Sequence, residues 1–321
     1  MKKRINVLSL CDGISCARMA LESLDIEIGS YFSAEIKPEA IRTTQKNFPL
    51  NIQIGDVTKI HYKNGELNCE KGKFKIKFDL VIFGSPCQSF SRAMKSERKI
   101  GLLDRTKSGL FLECNRILKE VNPKYFLMEN TIMDKEDYNT ISKLLNCKPI
   151  RINSKNYTGA YRDRYYWTNI KVGNLSTNKY ITVNDIIDYG YCPYKTARCL
   201  RRNDSHGYYN GGNITPIKGF YRSHYKSFGT IIFPSEKYFN NCLSIATSIL
   251  QGRKPQANLF DGYTGHDFDE IRYLSKYERA RLQGIPEKYV DSITEKEAAD
   301  LIGDAMTVPV IADLLKWARF E

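Results

Sequence analysis

The chain has 321 residues, 42% of them hydrophobic, which is enough to build one large domain and a smaller one. Its 49 Lys+Arg outnumber its 36 Asp+Glu, and the net charge of +13 favours a polyanionic partner, nucleic acid before membrane. The sequence has no long apolar run, its nine cysteines lack a disulfide framework, and its four histidines are too scattered for a zinc site. These features argue against a membrane-spanning or disulfide-stapled protein and predict reduced thiols in a cytoplasm.

Apolar patterning predicts alternating strands and helices, which indicates an α/β fold. The basic, polar segment 63–77 predicts a surface loop between two of these elements. The predicted strands cover residues 5–10, 31–34, 52–54, 80–83, 125–128, 150–153, 157–162 and 165–170. The predicted helices cover residues 17–24, 38–47, 108–121, 134–147, 275–283, 295–302 and 306–320.

The N-terminal segment predicts a ligand-binding unit. Strand 5–10, a turn containing Gly13 and helix 17–24 follow one another, and in such units backbone N–H groups at the turn face a ligand. Because Gly13 is the only glycine in that turn, a ligand without phosphate is favoured over a dinucleotide.

Two acids follow the next predicted strands. Glu35 comes about 20 residues after the turn, where an acid commonly accepts hydrogen bonds from ribose hydroxyls. Asp56 follows Gly55 at the end of strand 52–54 and could accept a hydrogen bond from an adenine amino group. Each acid taken alone is better explained as a solvated strand-end or turn residue.

The predicted chemistry is centred on Cys87. Strand 80–83 is an apolar run of the kind found in buried parallel strands, and Gly84, Ser85 and Pro86 end it, so that Cys87 stands at its carboxyl end. Pro86 has a fixed φ and no N–H, which holds the turn stiffly. A buried structural cysteine is the commoner role of a lone Cys, and a nucleophile is the alternative.

Charged residues surround Cys87 in the sequence. The segment 92–107 is rich in Lys and Arg, as expected for a mobile lid that grips phosphates or for a solvated loop. Strand 125–128 ends at Glu129, in the same relation to the sheet as Cys87, so a thiol and a carboxylate can share one cleft.

A pair of arginines follows. Arg162 and Arg164 alternate with Asp163, so in a strand their guanidinium groups point to one face and the carboxylate to the other. A structural salt bridge for one of the arginines is the alternative to an anion-binding role.

Residues 176–260 differ in amino-acid composition from the rest of the chain. They contain 11 Lys+Arg and 4 acids, and aromatic residues are dense from Tyr189 to Phe239. Basic and aromatic residues on irregular backbone suit contact with nucleic acid. This segment predicts a second, smaller domain, after which the apolar C-terminal helix returns to the first.

The order of these motifs resembles the DNA (cytosine-5) methyltransferase family over nearly the whole chain. Each match is short, but eight in the family's order are highly specific. The matching segments are Cys11-Asp-Gly-Ile, Glu35, Gly55-Asp56, Pro86-Cys87-Gln88, Glu129-Asn130-Thr131, Arg162-Asp-Arg164, Arg281-Leu-Gln-Gly-Ile-Pro286 and Gly303-Asp-Ala-Met-Thr-Val-Pro-Val310.

The chain also departs from the common family pattern. Cys11 stands where many members carry Phe, and Ser15 where many carry a second Gly; Ala160 stands where Gln usually precedes the arginines. Asp304 and Ala305 replace Asn and Ser. Several of these differences are similar to the vertebrate de novo type, and they concern the contacts to the methyl donor more than the chemistry.

The resemblance implies a Rossmann-like S-adenosylmethionine-dependent methyltransferase fold with a mixed, mostly parallel sheet. It implies a catalytic domain over 1–175 and 270–321 and a target recognition domain over 176–269. The implied catalytic residues are Cys87, Glu129, Arg162 and Arg164. The implied contacts to S-adenosylmethionine are Leu10, Cys11, Asp12, Gly13, Ile14, Glu35, Ile36, Asp56, Val57, Pro86, Asp304, Ala305 and Met306. The implied DNA contacts are Gln88, Ser91, Arg92, Arg98, Arg201, Arg202, Arg222, Lys226, Arg253 and Lys254.

The implied partners are double-stranded DNA and a cognate restriction endonuclease, with no membrane and no metal, for a monomer in a bacterial or phage-infected cytoplasm. An RNA-directed member of the same family shares the chemistry and stays an alternative. A catalytically silent, DNA-binding regulator is expected to lose Cys87, Glu129 or the arginines, and all are present. A nicotinamide-dependent oxidoreductase would need a fuller glycine loop.

Overall fold

The structure is a computed structural model that describes residues 4–86, 109–176, 181–200, 208–209, 212–213, 216–226, 229–260 and 263–320. The strands of these residues, in chain order, are β1 (Ile5–Leu10), β2 (Ile28–Ala34), β3 (Ile52–Gln53), β4 (His61–Lys63), β5 (Glu66–Cys69), β6 (Gly72–Lys75), β7 (Leu80–Phe83), β8 (Tyr125–Thr131), β9 (Ile150–Asn153), β10 (Asp163–Thr168), β11 (Tyr208–Tyr209), β12 (Gly212–Asn213), β13 (Ile231–Ile232) and β14 (Arg272–Tyr273).

The α-helices, again in chain order, are α1 (Cys16–Ser23), α2 (Pro38–Asn47), α3 (Leu110–Val121), α4 (Lys135–Leu144), α5 (Lys155–Thr158), α6 (Pro216–Lys226), α7 (Glu236–Leu250), α8 (Lys276–Arg281), α9 (Glu295–Asp304) and α10 (Val308–Leu315). None of these helices combines the length and the apolar character that crossing a membrane requires.

Contacts divide the chain into two compact units. The first comprises residues 1–153, 163–176 and 305–321, and the second comprises residues 154–162 and 177–304. The segment 270–304, which the resemblance assigned to the catalytic domain, groups with the second unit.

A seven-stranded sheet in the order β3-β2-β1-β7-β8-β10-β9 forms the centre of the first unit. The five strands from β3 to β8 run parallel, and β10 runs antiparallel to both β8 and β9. This mixed, mostly parallel sheet confirms the predicted α/β fold class. The strand order reverses direction at β1 and β7, and in open α/β sheets the crevice at such a point is where ligands bind.

The central parallel strands β1 and β7 are buried almost throughout. One core cluster joins Leu8, Leu10 and Phe83 of the sheet to Phe111 and Ile117 of α3. Helices α1 and α10 pack against each other in the same unit. Strand β7 is fully buried along its length, which is why its sequence is a continuous apolar run rather than an alternating one.

The prediction of a surface loop over 63–77 is wrong. Strands β4, β5 and β6 form a separate antiparallel sheet. Asn64 and Gly65 both have positive φ, at 52° and 79°, and an Asn-Gly pair is the preferred two-residue hairpin turn. Leu67 and Cys69 alternate with exposed residues and are buried, so a strand pattern lay within the polar composition.

The predicted strand over 157–162 is also wrong. The chain forms the short helix α5, which ends at Gly159 with φ 75°, a left-handed conformation typical of a helix C-terminus. Ser154 Oγ donates a hydrogen bond to the Ala160 carbonyl at 2.8 Å and helps close the turn. Local capping therefore outweighs the strand preference of Tyr157 and Thr158.

The second unit has its own aromatic core. Its buried rings include Phe220 of α6, Phe239 of α7, Phe233 directly after β13, and Phe268. From the sequence, the dense aromatic residues of this region are interpreted as nucleic-acid contacts on irregular backbone. For these rings the interpretation is wrong, because they lie in the interior of a helical unit.

Candidate active site

The carboxyl ends of four parallel strands lie level at one edge of the central sheet. The register pairs Leu10 with both Ala34 and Phe83, and pairs Phe83 with Met128. The residues that follow these positions are Cys11–Ile14, Glu35, Gly84–Pro86 and Glu129. Because neighbouring strands are about 4.8 Å apart, the predicted donor turn and the approach to the predicted nucleophile are neighbours.

The turn after β1 has an unusual backbone. Cys11, Gly13 and Ser15 all have positive φ, at 52°, 58° and 57°. Among the described residues, apart from the chain neighbours of Gly13, no atom lies within 4 Å of the point where a side chain on Gly13 would begin, so the turn borders open space there. Beneath the turn, a hydrogen bond with the Cys11 thiol, together with burial, raises the pKa of Cys114 of α3 well above its usual value.

Asp12 points into the protein rather than into that space. Its carboxylate accepts hydrogen bonds from Ser9 Oγ at 2.5 Å, Tyr31 Oη at 2.8 Å and Ser33 Oγ at 2.6 Å, and from the hydroxyl of Ser15. Hydroxyls from β1, β2 and the start of α1 thus converge on one carboxylate. Its side chain is committed to holding the turn, so any donor contact at this position falls to the backbone.

The buried carboxyl of Asp12 makes a testable contribution to the pH dependence of stability. Burial raises its pKa, and the hydrogen bonds from the hydroxyls offset this only in part. The folded protein therefore keeps this proton to a higher pH than the unfolded chain. The stabilisation is present in acid and is lost as the pH rises through the folded-state pKa.

We expect the Asp12→Asn variant, which cannot ionise, to lose that part of the pH dependence. Its free energy of unfolding should decline less than that of the wild type between about pH 4 and pH 7. Urea unfolding at a series of pH values measures both. Parallel declines in the two proteins would contradict the assignment.

Glu35 connects the ends of β1 and β2. Its Oε2 accepts a hydrogen bond from the Gly13 N–H at 2.7 Å, and its Oε1 accepts from Ile36 N–H and Lys37 N–H at 2.8 and 2.9 Å. A carboxylate offers about four acceptor positions, so three backbone donors leave room for one more. Ile36 is 65% exposed beside it, an apolar surface that a flat ring could cover.

The turn after β3 presents a second acid. Asp56 Oδ1 accepts a hydrogen bond from Thr58 N–H at 2.9 Å and thereby caps the short 3₁₀ helix Val57–Lys59. Val57 itself is buried in the main core. The carboxylate stays partly exposed at the surface of the first unit.

The approach to Cys87 is held by a residue of the neighbouring strand. Asn130 Nδ2 donates hydrogen bonds to the Ser85 carbonyl at 3.2 Å and to Ser85 Oγ at 3.1 Å, and both residues are buried. Gly84, Ser85 and Pro86 therefore leave β7 in a defined direction. Cys87 lies outside the described residues, as do Gln88, Ser91, Arg92 and Arg98.

Glu129 and Arg164 form a largely enclosed ion pair. Arg164 Nε lies 3.0 Å from Glu129 Oε1, and the two side chains are 13% and 10% exposed. In the antiparallel register Arg164 pairs with Thr131 and Tyr166 with Glu129. All four side chains thus point to one face of the sheet, which places the guanidinium diagonally across from the carboxylate.

Met306 of the C-terminal motif 303–310 lies at the same edge of the sheet, beside Gly84. A side-chain carbon on Gly84 would stand 2.8 Å from Met306 Cε and 3.7 Å from Glu129 Oε2. A side-chain carbon at position 84 would therefore force the flexible end of Met306 to move. Ala305 is buried, and Asp304, the last residue of α9, belongs to the second unit.

The other predicted arginine also belongs to the second unit. Arg162 is buried at 4% exposure, and its Nη1 donates to the Gly303 carbonyl at 3.1 Å. Asp163 pairs instead with Arg151, with Arg151 Nη2 2.5 Å from Asp163 Oδ2.

The predicted nucleic-acid contacts are only partly described. Arg201 and Arg202 lie outside the described residues, and Arg222 and Lys226 lie on α6. Arg253 and Lys254 are exposed after α7, but the guanidinium of Arg253 donates to the Leu250 and Ile249 carbonyls. Arg253 therefore caps the end of α7.

Sequence reasoning missed three supporting residues. Asn130 lies in the Glu129-Asn130-Thr131 motif, but no role is predicted for it. Ser9 and Ser33 lie within the predicted strands 5–10 and 31–34. Their position in the sequence indicates a supporting role, since a polar residue inside a buried strand must find a hydrogen-bond partner. Which partner it finds could not be inferred from the sequence.

The residues at this edge fit S-adenosylmethionine. The open space at Gly13, the remaining acceptor position of Glu35 and the exposed Ile36 suit a ligand with hydroxyls and a flat ring. Among the described residues, no group of three or more His, Cys, Asp and Glu side chains could hold a metal ion.

Comparison with known proteins identifies the family. The profile of the C-5 cytosine-specific DNA methylases matches residues 5–148 and 148–318. The Type II methyltransferases M.HpaII of Haemophilus parainfluenzae and M1.ScrFI of Lactococcus lactis subsp. cremoris are each 25% identical to the chain. The alignments cover 97% and 96% of this chain and 88% and 76% of theirs.

A solved structure supports the same fold. The Entamoeba histolytica methyltransferase EhMeth superposes with a TM-score of 0.62 at 18% identity, covering 98% of both chains. The profile match extends over nearly the whole sequence and includes each of the segments that meet at the sheet edge. The chain is therefore a member of the C-5 cytosine-specific DNA methylase family.

Proposed function

We propose that this protein transfers a methyl group from S-adenosylmethionine to C5 of cytosine in double-stranded DNA. The observation that carries the proposal is the meeting of four separate segments at one sheet edge, namely the ends of β7 and β8, the start of β10 and the turn before α10. Asn130 fixes the loop that leads to Cys87, Arg164 pairs with Glu129, and Met306 packs against Gly84 between them.

The donor site in this proposal is the edge formed by β1, β2 and β3. When bound, S-adenosylmethionine supplies an electrophilic sulfonium methyl group. The Gly13 turn, with Cys11 and Ile14, would hold its body, Glu35 its ribose, and Ile36, Asp56 and Val57 its adenine. Leu10, Pro86, Asp304, Ala305 and Met306 complete the proposed contacts. The four-hydroxyl network on Asp12 keeps the turn in shape whether or not a ligand is present.

The target chemistry follows from the poor nucleophilicity of cytosine C5. Addition of the Cys87 thiolate to C6 makes C5 enamine-like and able to accept a methyl group. Glu129 would hold N3 and the exocyclic amine and so stabilise the adduct, with Arg162 and Arg164 orienting the base and the thiol. Loss of the C5 proton and elimination of the thiolate would restore the aromatic ring and the free enzyme.

The target cytosine must leave the base stack to reach this site, which costs a few kcal/mol. The charge of residues 176–260, with 11 Lys+Arg and 4 acids, supports a duplex contact by the second unit. The relatives named as Type II methyltransferases support DNA over RNA and a cognate restriction endonuclease as partner. We further propose that the protein works as a monomer in the cytoplasm of a bacterial or phage-infected cell.

Parallel methylation assays test the substrate. Purified protein is incubated with S-adenosylmethionine labelled in the methyl group and with either unmethylated genomic DNA or total tRNA. We expect label in DNA alone, and bisulfite sequencing of that DNA to show 5-methylcytosine at one short recurring sequence. Label in tRNA alone would overturn the DNA assignment, and label in neither would overturn the proposed activity.

A further inference from the structure

The side chain of Glu70 connects the small sheet β4-β5-β6 to the proposed adenine side of the donor site. Glu70 lies in the two-residue turn between β5 and β6. Its Oε2 accepts a hydrogen bond from the Asp56 N–H at 3.2 Å, and its Oε1 lies 2.5 Å from Lys59 Nζ. One carboxylate therefore holds both ends of the segment 56–59.

The backbone of Gly55 makes this approach possible. Gly55 has φ 82°, and a side-chain carbon on it would stand 2.0 Å from Glu70 Oε2. Any other residue at this position would be strained and would displace the carboxylate. The glycine and the glutamate are thus fitted to each other, although the 3₁₀ helix Val57–Lys59 and the hairpin of β4 and β5 separate them in the chain.

Stability does not explain this arrangement. The side chains of Lys59 and Glu70 are 60% and 43% exposed, and exposed ion pairs contribute little to folding. The hydrogen bonds from Lys59 and from the Asp56 backbone lower the pKa of Glu70, so it is held as the charged acceptor. The effect of the contact is local, because it fixes the position from which the Asp56 side chain leaves the backbone.

We propose that Glu70 is a positioning residue that sets the Asp56 turn for recognition of the adenine amino group of S-adenosylmethionine. The inference rests on the proposed function. Asp56 Oδ1 is occupied by the Thr58 N–H, so Oδ2 is the oxygen that would accept from the amine. Glu70 fixes the N–H of the same residue, and the two contacts together define the direction of Oδ2.

Two ligands separate positioning from general damage. S-adenosylhomocysteine carries the adenine amino group, and S-inosylhomocysteine carries a carbonyl in its place. Binding of both is measured by calorimetry for the wild type, Glu70→Ala and Glu70→Gln. The matched control is Glu66→Gln, since Glu66 pairs with Lys73 at 3.6 Å in the same small sheet.

We expect Glu70→Ala to weaken S-adenosylhomocysteine binding about 10-fold and to leave S-inosylhomocysteine binding nearly unchanged, so that discrimination between them shrinks. The KM for S-adenosylmethionine should rise while kcat stays within about 2-fold, because the lost interaction serves ground state and transition state alike. Glu70→Gln, which keeps an oxygen for the Asp56 N–H, should recover most of the discrimination. Glu66→Gln should behave as the wild type.

Equal weakening of both ligands in Glu70→Ala, or unchanged binding of both, would overturn the inference while the proposed function stands. Failure of the wild type to bind S-adenosylhomocysteine at all would overturn the proposed function itself. Thermal unfolding of each variant identifies a fall in affinity that comes from a loss of folded protein.

Discussion

Replacement of Cys87 by serine should abolish methyl transfer, with turnover falling at least about 1,000-fold. The reason is chemical, since the reaction needs a nucleophile that adds to C6 and later leaves. A thiolate is accessible near neutral pH, and a serine hydroxyl is not ionised without a strong adjacent base. Single-turnover assays with labelled S-adenosylmethionine and the nucleic acid that the wild type methylates measure the loss.

Binding should survive the same substitution. We expect Cys87→Ser to bind S-adenosylhomocysteine as the wild type does, because the residues proposed to hold its ribose and adenine, Glu35 and Asp56, follow β2 and β3. Cys199→Ser serves as a control, since Cys199 is a partly exposed cysteine for which we propose no role. Turnover by the Cys87→Ser protein at the wild-type rate would exclude the covalent mechanism.

A trapping experiment identifies the sulfur directly. In a substrate that carries 5-fluorocytosine, the fluorine on C5 cannot depart as the proton does, so the adduct formed by addition to C6 persists. We expect the wild type and Cys199→Ser to give a stable complex on a denaturing gel and Cys87→Ser to give none. An adduct in the Cys87→Ser protein would assign the addition to another residue.

Strand positions in the first unit followed from the sequence because burial leaves a strong pattern. Strands β1, β7 and β9 begin and end at the predicted residues, and all the predicted parallel strands are present. Strand β7 shows this most clearly, since it is a continuous apolar run bounded by Asp79 and Gly84. The order of the strands in the sheet could not be read, because it depends on pairing between distant segments.

The hairpin sheet shows where composition misled the interpretation. The segment 63–77 is polar and basic, and this composition by itself predicts a loop. Its two turns, Asn64-Gly65 and Glu70-Lys71, and the alternation around Leu67 were the better signal. A sheet that is exposed on one face can be highly charged and still have regular structure.

The candidate site was predictable in its residue types and not in its contacts. Glu129 and the Gly84-Ser-Pro86 turn were expected to meet because both follow parallel strands. The inward orientation of Asp12 was not expected, since it depends on hydroxyls from β1, β2 and the start of α1. Contacts of this kind are set by strand register, which a motif does not encode.

Substitution of Glu129 by glutamine should reduce both activity and stability, and the two effects should be separable. The variant keeps the shape of the side chain but loses its charge, so the largely enclosed guanidinium of Arg164 no longer faces a carboxylate at position 129. Breaking such a pair from one side destabilises a protein by about 3 kcal/mol or more. Urea unfolding measures this loss. The matched control is Asp163→Asn, because Asp163 lies next to Arg164 in β10 and its carboxylate pairs with Arg151.

Activity should fall further than stability explains. Under the proposed mechanism Glu129 holds N3 and the exocyclic amine as charge develops on the ring, so its loss should lower kcat about 100-fold or more. The binding of S-adenosylhomocysteine should stay close to that of the wild type, because the residues proposed to hold its ribose and adenine, Glu35 and Asp56, follow β2 and β3. Asp163→Asn should retain nearly full turnover.

The double variant Glu129→Gln/Arg164→Gln distinguishes a structural ion pair from a catalytic one. Removal of the Arg164 guanidinium as well should restore part of the lost stability, because an enclosed positive charge that has lost the Glu129 carboxylate is the source of the cost. Turnover should not recover, since the carboxylate that faces the base is still absent. Recovery of activity together with stability would mean that Glu129 serves only to hold Arg164, and the role proposed for it in stabilising the cytosine adduct would be wrong.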